Sequence, residues 1–555
     1  MYNIIMPGGY LNIISTGNNN IILTGNPTKT FFKAVYSKYT NFGMQKFRLD
    51  YDGQRVLRLT EPSTFVFKVK RYAELLMDTY LVVNLPDIWS PIFNPCENTN
   101  NFWSPYCFKW IKNIGTAMIK EITITCGSLT IQKYTGDYLL SLVERDFTTE
   151  KKNLYDRMTG NIPELNNPAN IYGRTNVYPS AYYSNFTNGA EPSIRGKTLY
   201  IPINTWFTLD AKCAFPLISL QYNELIITVT LRPIQELFQV KDVFNMAYNN
   251  PYIQPDFNKS QFQMYRFLQS PPSIQSDNSF YENQNTNWNA DIHLLSTYCF
   301  LSKDEARVFA EEDQAYLIKD VFRYEFQKVT GTSRVGLTSN GMISNWMWYL
   351  QRDDVNMRNE WTNYTNWPYE GIPSNVINPP YTNDNPTLFN GLGPYVNPST
   401  GFNSGIYITG NYASYNRKEI LETMGILLDG EYRENTLTRG IYDFIEKYTR
   451  TSGNASEGLY CYNFCLNSSS LEYQPSGAMN LSRFKNIDLE VSTFIPQINL
   501  TDSAYGVICD GSGNIIGINK QNWQMFQYNY NMVLFEERYN ILSFMSGNCG
   551  MLYAR

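Results

Sequence analysis

Short apolar runs, each stopped by Pro, Gly or Asn, recur from one end of the chain to the other. That punctuation restricts the protein to an antiparallel β architecture. Residues 65–70 alternate apolar and polar, and residues 77–85 form a continuous apolar strand stopped by Pro86. Residues 119–125 alternate again and close at Gly127, and residues 217–231 read as one long buried strand ended by Arg232-Pro233. In the second half, residues 342–350, 458–466, 487–494, 524–536 and 539–545 carry the same signature. Two helices stand out. Ser302-Lys-Asp-Glu305 fits a capping box and opens a helix expected over 303–316. Residues 137–146 place Leu139, Leu140 and Val143 on one face. Neither helix is long enough to organise a helical core.

At 555 residues the chain is too long for one hydrophobic core, and the capped helix at Ser302 divides it into halves of similar length and strand content. With 43 Tyr, 32 Phe and only 17% charged residues, the composition favours pleated surfaces on which rings meet across strands. An antiparallel sandwich is therefore expected in each half, without a detectable sequence repeat between them. Three stretches, 161–196, 249–290 and 353–405, are too long and polar for simple connections, yet rich in Tyr, Trp and Phe. They read as ordered towers or interface arms.

Several chemistries are disfavoured. A net charge of −5 and a pI near 5.3, with no basic face, argue against gripping a phosphate backbone. The basic runs at 68–71 and 151–152 read as solvated faces. Nine cysteines show no metal-ligand spacing; Cys461 and Cys465 have no second pair beside them, so free, largely buried thiols are expected. His293 is the only histidine and sits in an alternating stretch, so it reads as an ordinary strand residue. The glycine-rich run 510–517 lacks the Lys-Ser/Thr ending of a phosphate loop and reads as a hairpin turn. Asp353-Asp354 and Glu311-Glu312-Asp313 read as a solvated turn and a helix face rather than paired catalytic carboxylates or calcium ligands. The sequons at Asn185, Asn258, Asn363, Asn454, Asn467, Asn480 and Asn499 are chance matches in an Asn-rich chain. No catalytic residue, cofactor or metal site is assigned. The first 28 residues carry no charge and hence no secretory n-region, and no apolar stretch reaches membrane-spanning length. A chain made and kept in the cytosol, or in something assembled there, is the expectation.

A set of ordered blocks is more specific. The run Leu23-Thr-Gly-Asn-Pro-Thr-Lys-Thr-Phe-Phe-Lys-Ala-Val-Tyr-Ser-Lys-Tyr-Thr-Asn-Phe42 resembles the N-terminal signature of major capsid proteins of nucleocytoplasmic large DNA viruses. The resemblance continues through Trp110-Ile-Lys-Asn-Ile-Gly115, Asp137-Tyr-Leu139, Leu199-Tyr-Ile-Pro-Ile-Asn-Thr-Trp-Phe207 and Phe215-Pro-Leu-Ile-Ser-Leu-Gln-Tyr222. It resumes at Asp304-Glu-Ala-Arg-Val-Phe-Ala310, Gln474-Pro-Ser-Gly-Ala-Met-Asn-Leu-Ser-Arg483 and Tyr539-Asn-Ile-Leu-Ser-Phe-Met-Ser-Gly547. There are departures: Ala306 separates Glu305 from Arg307 where the family usually carries a Glu-Arg pair, and the 353–405 loop looks longer than in compact members.

The resemblance implies an all-β chain of two consecutive antiparallel jelly-roll β-sandwiches with a few short helices and long loops. The expected division is an N-terminal arm at 1–28, a first jelly roll at 29–301, a linking helix at 302–316 and a second jelly roll at 317–555. It implies a structural capsid protein, not an enzyme, forming pseudo-hexagonal homotrimeric capsomers that tile an icosahedral shell. Some long loops would rise as outer towers and others would clasp neighbouring subunits. Expected partners are the chain itself, neighbouring trimers, and minor capsid and penton proteins, with no nucleic acid. The uncharged N-terminal segment is either an arm touching an internal membrane or minor proteins, or a partly ordered terminus. The expected location is the virion capsid, assembled in the host cytoplasm. The alternative left open by the residues alone is a carbohydrate-binding or glycan-hydrolysing β-sandwich.

Overall fold

Strand burial separates two kinds of sheet. In strand β2 (Ser63–Lys68), Ser63, Phe65 and Phe67 face inward while Thr64 and Lys68 face solvent. In β7 (Leu225–Leu231) and β15 (Ile487–Thr493), Leu225, Ile227, Val229 and Leu231, then Ile487, Leu489 and Val491, are buried on one face. By contrast, β11 (Met342–Arg352) and β16 (Tyr530–Met545) are buried almost continuously, so both of their faces are covered.

These strands come from a computed structural model. It describes residues 39–53, 56–93, 104–182, 190–245, 250–272, 281–372, 393–396, 403–408, 417–472, 474–496, 506–509, 515–519, 523–525 and 527–553. The arm expected at 1–28 and most of the 23–42 block lie outside the described residues.

The remaining main strands of the first half are β1 (Gly43–Leu49), β3 (Leu75–Leu85), β4 (Ile119–Cys126), β5 (Leu129–Tyr134), β6 (Lys197–Pro202) and β8 (His293–Phe300). Those of the second half are β9 (Gln314–Phe326), β10 (Thr332–Leu337), β12 (Leu421–Leu428), β13 (Glu431–Thr438) and β14 (Leu459–Asn463). One first-half sheet runs β1-β8-β3, with β6 and the short Phe215–Pro216 strand both paired to β3; the other runs β2-β7-β4-β5. In the second half the sheets run β9-β16-β11-β14 and β10-β15-β12-β13. All these pairings are antiparallel. Counted along each half, the first, eighth, third and sixth strands share one sheet, and the second, seventh, fourth and fifth share the other. Both halves are jelly rolls with one strand order.

One hydrophobic cluster fills the first jelly roll and continues into the second through Tyr316, Ile318, Met347, Tyr349, Val533 and Phe535. A second cluster fills the second roll with Trp346, Trp348, Leu350, Met532 and Leu534. Neighbours on β11 and β16 therefore point into different clusters. One face of this sheet packs on its own partner sheet, and the other packs on the first jelly roll. That double coverage explains why residues 342–350 read as a continuous apolar run instead of alternating.

Several elements differ from the sequence reading. The helix expected over 303–316 is α3 (Lys303–Glu311; α1 and α2 lie earlier in the chain). Gln314 already pairs with Phe544, so thirteen residues of β9 align along β16 in place of a longer helix. Ser302 occupies the N-cap position, but its side chain makes no capping hydrogen bond. The strand expected over 217–231 starts only at Leu225, because Leu217–Ser219 is a 3-10 turn and the Gln221 and Tyr222 amides donate to Gly547. The two strands expected at 524–536 and 539–545 are one, β16, which runs unbroken through Glu536-Glu537-Arg538. Helix α1 (Gly136–Asp146) falls where expected. It is followed by α2 (Thr149–Thr159), capped by Thr148 through the Lys151 amide, which the sequence reading did not separate out.

The described parts of two long loops are not free arms. In 249–290, Phe262, Met264 and Phe267 are fully buried in the first core. In 353–405, the stretch through residue 372 packs against the first jelly roll, as detailed below.

Leu534 is fully buried in the second core, so Leu534→Ala should lower unfolding stability by about 2–5 kcal/mol. Ser302→Ala, which removes no capping bond, should stay within about 0.5 kcal/mol of the parent. Chemical denaturation of both variants checks the pair; a Ser302→Ala loss as large as that of Leu534→Ala would contradict this account of the boundary.

Candidate functional site

The most constrained chemistry lies where the two jelly rolls meet. Helix α1 buries Tyr138, Leu139, Leu142 and Val143 in the first core and ends on Arg145 and Asp146, whose side chains are shut off from solvent. Arg145 donates to Asp146 through Nε at 2.6 Å and Nη2 at 2.8 Å. It then crosses to the second roll, donating from Nη1 to Asn345 Oδ1 at 2.8 Å and from Nη2 to Glu537 Oε1 at 3.1 Å. Asn345 on β11 donates to Glu537 Oε2 at 2.7 Å, and the Tyr138 hydroxyl donates to Oε1 at 2.9 Å. Lys319 Nζ stands 3.8 Å from Glu537 Oε2, so the set holds two cations and two anions. Asp146 accepts further bonds from the Ser470 amide and hydroxyl, at 3.0 and 2.6 Å. The backbone closes just as tightly: the Gly453 amide donates to the Arg145 carbonyl at 2.7 Å, and a Cβ at Gly453 would overlap that carbonyl.

Burial alone would raise the Glu537 carboxyl, but the charges of Arg145 and Lys319, with the bonds from Asn345 and Arg145, hold it down to about 2. The same surroundings push the Tyr138 hydroxyl well up, through burial first and then the Glu537 charge. On the other face of β16, Glu536 accepts from Ser339 Oγ at 2.6 Å and Trp346 Nε1 at 2.8 Å. Strand alternation thus sends successive carboxylates into different partners.

A second buried cluster orders the start of the 353–405 loop. Asp354 accepts from Arg352 at 2.9 and 2.7 Å and from Arg358 at 3.1 and 3.0 Å, with all three side chains fully buried. Arg352 also lies 3.5 Å over the Tyr528 ring. Although burial opposes it, the two guanidinium groups hold the Asp354 carboxyl far below the usual range. The solvated turn expected at Asp353-Asp354 is thus corrected: Asp354 is the anion around which the loop is built. The loop then clasps the first roll. Asn359 Nδ2 donates to the Gln235 and Phe238 carbonyls, both at 2.8 Å, and Trp361 Nε1 donates to Glu236 at 2.9 Å.

Aromatic residues complete the junction. The Phe215 and Phe544 rings are 5.2 Å apart, and Tyr316 lies 5.3 Å from Trp206 and 5.7 Å from Phe544. Ser546 and Gly547, both at positive φ, make the two-residue turn between Met545 and Asn548. The Gly547 carbonyl receives the Gln221 and Tyr222 amides at 3.0 and 3.3 Å. Parts of four sequence blocks, 137–139, 199–207, 215–222 and 539–547, therefore face this one seam.

The other residues weighed for chemistry are scattered. His293 opens β8, its Nδ1 2.7 Å from the Asp291 carbonyl. Cys461 and Cys465 are buried, and burial pushes the Cys461 thiol up to about 12. Glu311, Glu312 and Asp313 are exposed. The strands flanking the 510–514 stretch, Gly506–Cys509 and Ile515–Asn519, pair antiparallel, while 510–514 itself lies outside the described residues. Among the described residues, no group of three or more His, Cys, Asp or Glu side chains is placed to hold a metal ion. No helix among them is long and apolar enough to cross a membrane. The sequence reading missed Arg145, Asp146, Asn345 and Glu537, and misread Asp354. The available signal was three consecutive charges, Glu536-Glu537-Arg538, inside an otherwise apolar strand.

Two jelly rolls of one strand order, fused through a buried ion network, define a double jelly-roll protein. The family model for the large eukaryotic DNA virus major capsid protein matches residues 305–550, and the model for the major capsid protein N-terminus matches residues 30–269. The major capsid protein of Phaeocystis pouchetii virus is 22% identical over 99% of this chain and its own full length. That of Paramecium bursaria Chlorella virus 1 is 23% identical over 99% of this chain and its full length. Among solved structures, a chain of the PBCV-1 virus capsid quasi-atomic model superposes with a TM-score of 0.59 at 19% identity, covering 95% of this chain and all of that one. The Faustovirus major capsid protein gives 0.59 at 10% identity, covering 93% of each. The chain belongs to the major capsid protein family of large eukaryotic DNA viruses. Its role is structural, that of a major capsid protein.

Because Glu537 titrates below its ordinary value of 4.5, its contribution is complete above pH about 4.5 and is lost as pH falls toward about 2. The shift corresponds to stability on the order of 3 kcal/mol. Thermal unfolding followed from neutral to acid pH should show this loss, with a weaker pH slope in Glu537→Gln. Arg145→Met, which strands two buried carboxylates, should cost about 3–5 kcal/mol at neutral pH; a midpoint unchanged from the parent would refute the role given to the seam.

Proposed function

We propose that the chain forms a homotrimer whose six jelly rolls give a pseudo-hexagonal capsomer, and that these capsomers tile an icosahedral shell assembled in the host cytoplasm. The observation that supports this most is the repetition of one strand order in both halves, locked by the Arg145–Glu537 seam. Two equivalent bodies held in one orientation give a chain two similar outlines, so threefold symmetry presents six similar sides. Exposed aromatic and aliphatic side chains fit contacts between subunits. Phe444, Ile445 and Tyr448 lie on one helical segment at 50%, 51% and 91% exposure. Minor capsid and penton proteins belong to the same reading as further partners. So does an N-terminal arm at 1–28 that touches them or an internal membrane. So, too, does the absence of catalytic, cofactor and metal sites.

Light scattering of the purified chain at micromolar concentration should give a mass near three times 64.3 kDa that persists on dilution, and imaging should show threefold particles. Phe444→Asp combined with Tyr448→Asp should weaken self-association with little change in the unfolding midpoint. A stable monomer would overturn the reading.

A further inference from the structure

Two thiols from opposite jelly rolls meet at the edge of the seam. Cys126 ends β4 and is buried, while Cys549 lies half-buried on the strand Asn548–Met551, paired to Phe544. Asn223 bridges the residues beside them: a Cβ on Gly127 would fall 2.6 Å from its Oδ1, and its Nδ2 reaches Asn548, so each thiol has the other as its main electrostatic neighbour. Their approach is fixed by the backbone around them. The Gly547 carbonyl holds the Gln221 and Tyr222 amides, and Asn223 Nδ2 donates to Asn548 Oδ1 at 3.2 Å. Arg71 Nη2 holds the Asn223 carbonyl at 2.8 Å, and the Gly127 amide donates to the Glu224 carbonyl at 3.2 Å. Strand Asn548–Met551 lies against β5, whose Leu129 is the register partner of Cys126.

We propose that Cys126 and Cys549 are a redox-addressable pair that closes to a disulfide and staples the C-terminal hairpin of the second jelly roll to β4 of the first. The oxidant is a small-molecule disulfide of the oxidised-glutathione class. One thiolate of the pair attacks one sulfur of the oxidant; the oxidant's S–S bond breaks and one small thiol leaves. The other thiolate then attacks the protein sulfur of that mixed disulfide, the protein S–S bond forms, and the second small thiol is expelled. Both cysteine protons end on the released thiols, and two electrons pass to the oxidant. The Cys549 contact, helped by the Arg71 charge, lowers the Cys126 thiol against its burial and makes it the readier of the two to ionise, while the same contact and burial push the Cys549 thiol up.

The closed loop runs from residue 126 to residue 549, so the bond restricts the unfolded chain strongly. A shell protein made in a reducing cytosol and carried outside the cell meets the conditions that form such a bond. That timing rests on the capsid reading; the bond itself does not.

The full-length purified chain is incubated with oxidised or reduced glutathione, denatured under alkylating conditions and analysed by intact mass and peptide mapping. Oxidation should lower the intact mass by two hydrogens, remove two alkylation sites, yield a linked peptide containing Cys126 and Cys549, and raise the thermal midpoint by several degrees. Dithiothreitol should reverse all four changes. Cys549→Ser should show none of them while keeping the midpoint of the reduced parent. Separate alkylation of both residues after oxidation, or glutathione retained on Cys549 without a link, would overturn the proposal. The mapping does not depend on oligomeric state: a monomer that forms the linked peptide would sink the trimer reading alone, and a trimer without it would sink the staple alone.

Discussion

The Arg145–Glu537 ion pair is the interaction on which the rest of the arrangement depends. It joins the last turn of α1 in one jelly roll to the middle of the longest strand in the other, with both side chains excluded from water. An ion pair in such surroundings adds little net stability over a well-packed apolar substitute, because both charges lose their hydration. What it imposes is intolerance of misplacement. Apolar rings such as Phe215 and Phe544 would still pack after a slide of a few ångströms, but Arg145, Asn345, Tyr138 and Glu537 are satisfied together only in one register. A building block whose repeated outline must fit its neighbours needs that property more than it needs additional stability.

Charge balance makes the arrangement affordable. Arg145 and Lys319 face Asp146 and Glu537, and each carboxylate collects further donors from the side chains or backbone around it. The Asp354 cluster is balanced differently, with one carboxylate between two guanidinium groups. The excess positive charge is spread onto the Asn366, Pro368 and Trp523 carbonyls and the face of Tyr528. That cluster sits at the root of the loop that reaches the first roll, so a buried charge again fixes a direction of approach. In both places polar chemistry sets orientation, and the apolar clusters on either side supply the driving force.

Much of the fold was legible because one-sided burial writes itself into sequence. The alternation read at 65–70 and 119–125 and the strand read at 487–494 follow from sheets with one face on the core, and the strands observed there are Ser63–Lys68, Ile119–Cys126 and Ile487–Thr493. Legibility failed where tertiary partners overrode local pattern. Glu536-Glu537-Arg538 looked like a break between strands because the cations that neutralise Glu537, Arg145 and Lys319, come from far away in the chain, while strand alternation brings Arg538 to Glu536. Residues 217–224 looked like a strand because nothing local shows that Gln221 and Tyr222 are held by the Gly547 turn. The helix after Ser302 ended early because pairing of Gln314 with Phe544 outcompeted another helical turn. The seam was even less visible: Arg145 and Asp146 read as an ordinary charged helix end, and only the second jelly roll makes them a site.

The two halves share a strand order without a recognisable sequence repeat, and the burial patterns give the physical reason. In the first roll the strand order is enforced by cores built from Phe65, Phe67, Ile122, Ile124, Val229 and their neighbours. In the second it is enforced by Trp346, Trp348, Met424 and Leu534, residues of different shape that fill the same kind of space. Packing restricts volume and pattern much more than identity, so two copies of one topology can lose all sequence memory of each other. Several of the blocks that carry the family resemblance hold positions with less freedom. The Ser546-Gly547 turn needs two positive φ angles, the helix that starts beside Asp137 must deliver Arg145, and Phe215 must meet Phe544. Their common location is the contact between the rolls, where a substitution is felt by both bodies at once.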